Sequence, residues 1–270
     1  MRIQLTAYMN NLLIHLPSGK RLVWYLAAEE YFAKNIHCLN QTYTKGKQNT
    51  IENQDTILPI LDAILFTWIV APTVIFGRHQ VLQNEVNVPF CQANNIAMYR
   101  RKSGGGCVYA DQGNLMISYI SPSTHSEQVF QHYLDHMAEC LSQMGYGAVK
   151  STHNDIMVGE HKVSGNACFA LPNATIVHGT MLYDVNFDTL QKAITPSAEK
   201  LAKHGVESVR QRVINLKNAD NGNCGSSTEE LAEKIHTFWC KQTYTPTAEE
   251  LLAIDKIEEE YLDPAFIGRM

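Results

Sequence analysis

Apolar positions along the chain follow two rhythms. Between residues 126 and 144, Val129, Phe130, Tyr133, Leu134, Met137, Ala138, Leu141 and Met144 recur every three or four residues, and Gly145 follows as a stop. That spacing predicts a helix with one buried face. Residues 22–34 repeat it and predict a second helix burying Leu26, Ala27 and Tyr31. Short runs rich in β-branched and aromatic residues predict strands over Ile64–Val70, Thr73–Phe76, Ile96–Arg100, Leu115–Ile120, Asp155–Val158, His161–Ser164 and Ala174–Tyr183. Gly159-Glu160 reads as a hairpin turn. The polar stretches Cys38–Asp55 and Asn218–Ser227 read as loops. Two capping boxes, Ser227-x-x-Glu230 and Thr247-x-x-Glu250, predict helices near the C-terminus. Strands, one central helix, further strands and terminal helices together predict an α+β fold, a mixed β-sheet flanked by helices.

Composition narrows the function classes. The 270 residues carry a net charge of −5, with 18% charged and 45% apolar residues. A disordered chain is excluded, and no excess positive charge exists to neutralise nucleic-acid phosphates. Seven cysteines without a C-x-x-C pair suggest reduced thiols rather than a disulfide framework or a zinc site. The longest apolar stretch, Ile57–Pro72, is too short for a membrane span, contains Asp62 and reads as sheet. Asn10, Asn11 and His15 interrupt the N-terminal apolar patches, so no signal peptide is expected and the expected location is cytoplasmic.

Three constellations carry candidate chemistry. In Arg100-Arg101-Lys102-Ser103-Gly104-Gly105-Gly106, glycines let backbone N–H groups converge on phosphate or carboxylate oxygens, and basic residues supply charge. A basic residue beside a glycine turn is more often only a turn, and the spacing fits neither a Walker loop nor a dinucleotide fingerprint. In the second, Asn154-Asp155 precedes Lys162-Val163-Ser164-Gly165-Asn166. Lys162 suits an anionic transition state and Asp155 a magnesium ion, against the plainer readings of a surface lysine and a turn aspartate. The third is His178-Gly179-Thr180 in an apolar strand, where a hydrogen-bonded structural histidine is the alternative. His132 and His136 read as a solvated helix face, and Cys107 and Cys168 as packing residues or nucleophiles.

Taken together, VIFGRHQ (Val74–Gln80) with Glu85-Val86-Asn87, RRKSGGGCVYADQGNLMIS (Arg100–Ser118), NDIMVGEHKVSGNACF (Asn154–Phe169), HGTMLYDVNFDTL (His178–Leu190) and KLAKHGVESVRQRVINL (Lys200–Leu216) resemble the lipoate–protein ligase family. The resemblance covers roughly residues 20 to 245, and five motifs in one order are more specific than any alone. It implies a fold similar to biotin ligases and class II aminoacyl-tRNA synthetases. It also implies ATP- and Mg2+-dependent attachment of lipoate, through lipoyl-AMP, to a lysine of apo lipoyl domains. Those acceptors would belong to 2-oxoacid dehydrogenase complexes and to the glycine cleavage H protein.

By position, Lys162 would be catalytic and Asp155 would hold the metal. Arg101, Ser103, Gly104, Gly105, Gly106, Cys107, Val108, Tyr109, Asn114 and His178 would bind substrate and adenylate. Ala110 stands where family members commonly have histidine. The expected organisation is a catalytic domain over residues 1–245 and a short helical tail over 246–270, with no full accessory domain and a possible separate accessory subunit. The competing expectation is an ATP-independent octanoyl or lipoyl transferase that uses a cysteine thioester.

Overall fold

Strict alternation in two central strands decides which side chains face which layer. In β2 (Ala63–Trp68), Ile64, Phe66 and Trp68 pack on one face, and Ala63 and Leu65 on the other. In β6 (Asn114–Ser121), Met116 and Ile120 join the first face, while Leu115, Ile117 and Tyr119 join the second. Both faces are covered, so both strands read as nearly continuous apolar runs. The computed structural model describes residues 10–48, 61–194, 212–219 and 222–268.

Among those residues one mixed sheet of eight strands runs in the order β11-β1-β2-β6-β10-β9-β8-β7. Its other strands are β1 (Asn11–Ile14), β7 (Ala148–Lys150), β8 (Asp155–Val158), β9 (His161–Leu171), β10 (Ala174–Leu182) and β11 (Gln242–Tyr244). β11, β1 and β2 are parallel, and every later pairing is antiparallel. A second sheet, β4-β3-β5, joins β3 (Thr73–Phe76), β4 (Ala97–Arg100) and β5 (Val108–Ala110). It carries the glycine run between β4 and β5. Short helices α2 (Leu82–Glu85), α3 (Val88–Ala93) and α5 (Phe187–Ala193) pack around it.

Helix α1 (Leu22–Gln48) covers the first face of the large sheet. Helices α4 (Ser126–Gln143) and α6 (Thr228–Trp239) cover the second. Two C-terminal helices, α7 (Ala248–Leu262) and α8 (Pro264–Ile267), lie against α1 and β4. The mixed, helix-flanked architecture agrees with the sequence expectation.

Several boundaries differ. The polar stretch from Cys38 is helical to Gln48, not a loop, and 49–55 lies outside the described residues. The helix continues because Ile36 and Leu39 stay in the core, and because Asn173, at the β9–β10 turn, donates to the carbonyls of Ala33 (3.4 Å) and Lys34 (3.3 Å). Such distant contacts leave no mark on local polarity. Tyr31 is half-buried, while Leu26 and Ala27 are buried as expected. Strand β9 runs on to Leu171, beyond the expected Ser164, paired from Ser164 onward with β10. Thr247 and Glu250 form a complete capping box. At Ser227 the box is half made, because Glu230 accepts from the backbone of Ser226 instead. Of the apolar stretch from Ile57, residues 57–60 lie outside the described residues.

Candidate active site

A cavity of about 590 Å³ opens between the glycine loop and strands β8 to β10. One part is apolar, walled by Leu26, Trp68, Ile75, Val108 and Met116; the polar part holds Asp155, Lys162 and His178.

A bulge aims the lysine. Along β9, Gly165 pairs with Asp155 and Ser164 with Ile156, but the next pair joins Lys162 to Met157, so Val163 is an extra residue. Val163 is fully buried in the α4-side core. Without the extra residue, period-two alternation would turn Lys162 to the same side as Ser164 and away from Gly165; with it, Lys162 faces the cavity. The ammonium then lies across Gly165, whose Cα has room because it bears no side chain: a Cβ there would sit 2.7 Å from Lys162 Nζ. Lys162 Nζ stands 2.7 Å from Asp155 Oδ1. This contact is an ion pair to the buried Oδ1 of Asp155. The Lys162 carbonyl is held by the backbone N–H of Ile214, at 3.1 Å.

The glycine loop is held from its own base. Arg101, buried and reaching the cavity wall, donates to the carbonyls of Gly104 (Nη2, 2.8 Å), Gly106 (2.7 Å) and Ile75 (3.3 Å). Burial lowers its pKa to about 10, which leaves it protonated at neutral pH. Gly105 adopts a φ of +93°, a left-handed conformation open to glycine at low cost.

A line of buried polar groups runs behind the cavity. Trp68 Nε1 donates to Ser118 Oγ (2.9 Å), which donates to Glu29 Oε1 (2.6 Å). The other Glu29 oxygen lies 3.0 Å from His178 Nδ1, and His178 Nε2 lies 2.8 Å from Ser103 Oγ. Because a carboxylate only accepts, Nδ1 carries the proton, and in the neutral ring Nε2 accepts from the Ser103 hydroxyl. Ser118 and His178 are cross-strand partners on the α1 face, which places both within reach of Glu29.

The structure therefore brings Arg101, Gly105, Gly106, Cys107, Val108, Tyr109, Asp155, Lys162 and His178 to one cavity. Ser103 stands behind its wall, bound to His178, and Gly104 is at the exposed tip of the loop. Asn114 is fully buried at the start of β6, donating to the Tyr109 carbonyl at 3.5 Å, away from the cavity. Cys168 pairs with Val177 on the opposite face, toward α4, and burial pushes its thiol up to about 11. Glu29, Trp68 and Ser118 escaped the sequence reading. The available signal was Glu29-Glu30 interrupting a helix face that is otherwise apolar.

Metal ligation fits in one respect. Asp155 supplies a carboxylate on the cavity wall, the kind of single protein ligand that magnesium takes with phosphate oxygens. Among the described residues no group of three or more His, Cys, Asp or Glu side chains forms a closed metal site.

Residues 26–237 match the lipoyl protein ligase A/B catalytic domain. The chain is 36% identical over 160 residues to lipoate–protein ligase 1 of Staphylococcus aureus, covering 59% of this chain and 49% of that protein. It is 33% identical over 199 residues to lipoate-protein ligase A of Blochmanniella pennsylvanica, covering 72% and 52%. It thus spans about half the length of the curated relatives it matches. Among solved structures it is similar to a bi-partite lipoate protein ligase from Thermoplasma acidophilum, studied with its E2 lipoyl domain (TM-score 0.76, 22% identity, 97% of this chain and 98% of that one). It is similar also to lipoate-protein ligase A bound with ATP (TM-score 0.74, 22% identity, 97% and 100%). At these identities the structural likeness establishes the fold.

Proposed function

The chain belongs to the lipoyl protein ligase A/B catalytic-domain family, and from that premise we propose that it joins lipoate to a lysine of lipoyl-domain proteins through lipoyl-AMP. The observation that carries this reading is Lys162, turned by the bulge at Val163 into a cavity lined also by apolar side chains and the glycine loop. The similar structures, one bound with ATP and one studied with its E2 lipoyl domain, support the same substrates.

The chemistry follows from the groups in place. A carboxylate is a poor electrophile, so the lipoate oxygen attacks the α-phosphorus of ATP and pyrophosphate leaves. The Lys162 ammonium neutralises charge that gathers on the phosphate and the acyl oxygen. Gly105 and Gly106, on the cavity wall, offer backbone N–H groups to phosphate. The acyl tail lies along the apolar side chains of Leu26, Trp68, Ile75 and Met116. In the second step the neutral amine of the acceptor lysine attacks the acyl carbon, the acyl–phosphate bond breaks, AMP departs and the nitrogen releases one proton to solvent. Lys162 faces the same oxygens again and forms no covalent bond. Asp155 would hold magnesium, which neutralises triphosphate charge when bound. A separate accessory chain belongs to the same reading as an added component of the assay.

Lys162→Ala is expected to cost about a hundredfold to a thousandfold in both half-reactions, as for loss of one preorganised charge. Thermal unfolding should change by less than about 1 kcal/mol, because the Lys162–Asp155 pair is partly exposed. Lipoyl-AMP formation and transfer from supplied lipoyl-AMP measure the two steps separately. Normal turnover in this variant removes Lys162 from the mechanism.

A further inference from the structure

Four consecutive side chains at the root of the glycine loop diverge to four different anchors. Arg100 donates to the carbonyls of Arg78 (2.9 Å), Gln80 (2.8 Å) and, in α8, Ile267 (3.1 Å), with its guanidinium over the Phe76 ring. Arg101 binds the loop's own carbonyls and Ser103 binds His178. Lys102 extends to side chains of α1 and α7. Its ammonium lies 2.8 Å from Glu30 and 2.8 Å from Glu260, and 4.5 Å from the centre of the Tyr261 ring.

The receiving side is itself braced. Glu30 is buried and also accepts from the Tyr261 hydroxyl. Helix α7 is fastened by Arg21, just before α1, which grips Glu258 with two bonds of 2.9 and 3.0 Å, and by Trp24 Nε1 of α1 donating to Asp255 at 2.6 Å. Beyond Ser103 the tip is open: a Cβ on Gly104 would meet nothing within 4 Å. Arg101 therefore fixes the shape of the loop, and Lys102 fixes where that shape stands relative to α1 and α7.

We propose that Lys102 is a positioning residue, tying the glycine loop to the C-terminal helix α7 through Glu30, Tyr261 and Glu260 so that the loop is held ready for its ligand. The segment beyond residue 245 is then a working part of the active site rather than an appended tail. The functional half of this inference rests on the proposed ligase reading; the structural half does not.

The test pairs amide hydrogen exchange over residues 103–107 with steady-state kinetics of lipoyl-AMP formation. Lys102→Met should speed exchange there and raise KM for ATP and lipoate by roughly five- to tenfold, as for loss of a partly buried ion pair, with kcat within about twofold. Lys102→Arg should restore both, and Glu260→Gln should shift both in the same direction by less. Lys34→Met removes a different cation from Glu30, at 3.6 Å and without touching the loop, and should alter neither. Unchanged exchange in Lys102→Met and Glu260→Gln overturns the clasp, as does an effect of Lys34→Met equal to that of Lys102→Met. Faster exchange in a protein whose wild type makes no lipoyl-AMP upholds the tether and removes the ligase reading instead.

Discussion

At the scale of single residues, Lys162 is placed by its neighbours more than by its own position in sequence. Val163 bulges inward and Gly165 leaves the surface across which the lysine lies. Gly165→Ala would set a Cβ 2.7 Å from Nζ and 2.9 Å from Cε, and the flexible end of the lysine would move, rather than the backbone. The expected result is a roughly ten- to hundredfold loss of kcat, the scale for a displacement of about 1 Å at a catalytic group, with unfolding temperature near wild type. Steady-state kinetics and calorimetry together check it. Cys168 gives the opposite expectation. It lies on the α4 face with a thiol pushed up to about 11, so Cys168→Ser should leave acyl transfer within about twofold, and no acyl-cysteine should be found there by mass spectrometry. Loss of activity in that variant would contradict the face assignment.

At the scale of elements, the sequence made some parts plain and hid others for identifiable reasons. Helix α4 was legible because its apolar positions repeat over the whole 18-residue element. The glycine run, Lys162, Asp155 and His178 were legible because each is a chemically distinctive residue within a motif. β1 and β11 were not, since each has only three or four residues and exists through parallel pairing with a distant partner. The bulge at Val163 was hidden because it is a matter of register between two strands, while local patterning gives only alternation. Glu29 was hidden because its partners, Ser118 and His178, lie 89 and 149 residues further on.

The packing of α6 on β2 carries its own pH dependence. His236 is largely buried, beside Thr67 Oγ1 at 2.8 Å, and burial lowers its pKa from the ordinary value. Just below pH ~6.5 the unfolded chain therefore binds more protons than the folded one, so stability rises with pH through that window and is lost on acidification. Denaturant titrations from pH 7.5 down to about 5 should show this loss, and His236→Gln should flatten it. An unchanged slope in the variant would assign the acid lability to other groups.

At the scale of the whole molecule, two sheets and the helices on either face converge on one cavity. The large sheet supplies Lys162, Asp155 and His178; the small sheet supplies the glycine loop; α1 joins them through Glu29 and Glu30. This division explains why residues from motifs far apart in the chain meet. It also explains why the adjacent Arg100, Arg101 and Lys102 serve three separate contacts instead of one anion site. The central claim is that this assembly activates lipoate as an adenylate before transfer. Its most direct test is mass spectrometry of an apo lipoyl domain incubated with the purified chain, the accessory chain of a bi-partite ligase, lipoate and magnesium, with and without ATP. The account predicts a lipoylated lysine and released AMP only with ATP, both lost in Lys162→Ala. Lipoylation without ATP through an acyl-cysteine, or neither lipoyl-AMP nor modified acceptor with ATP present, would contradict it.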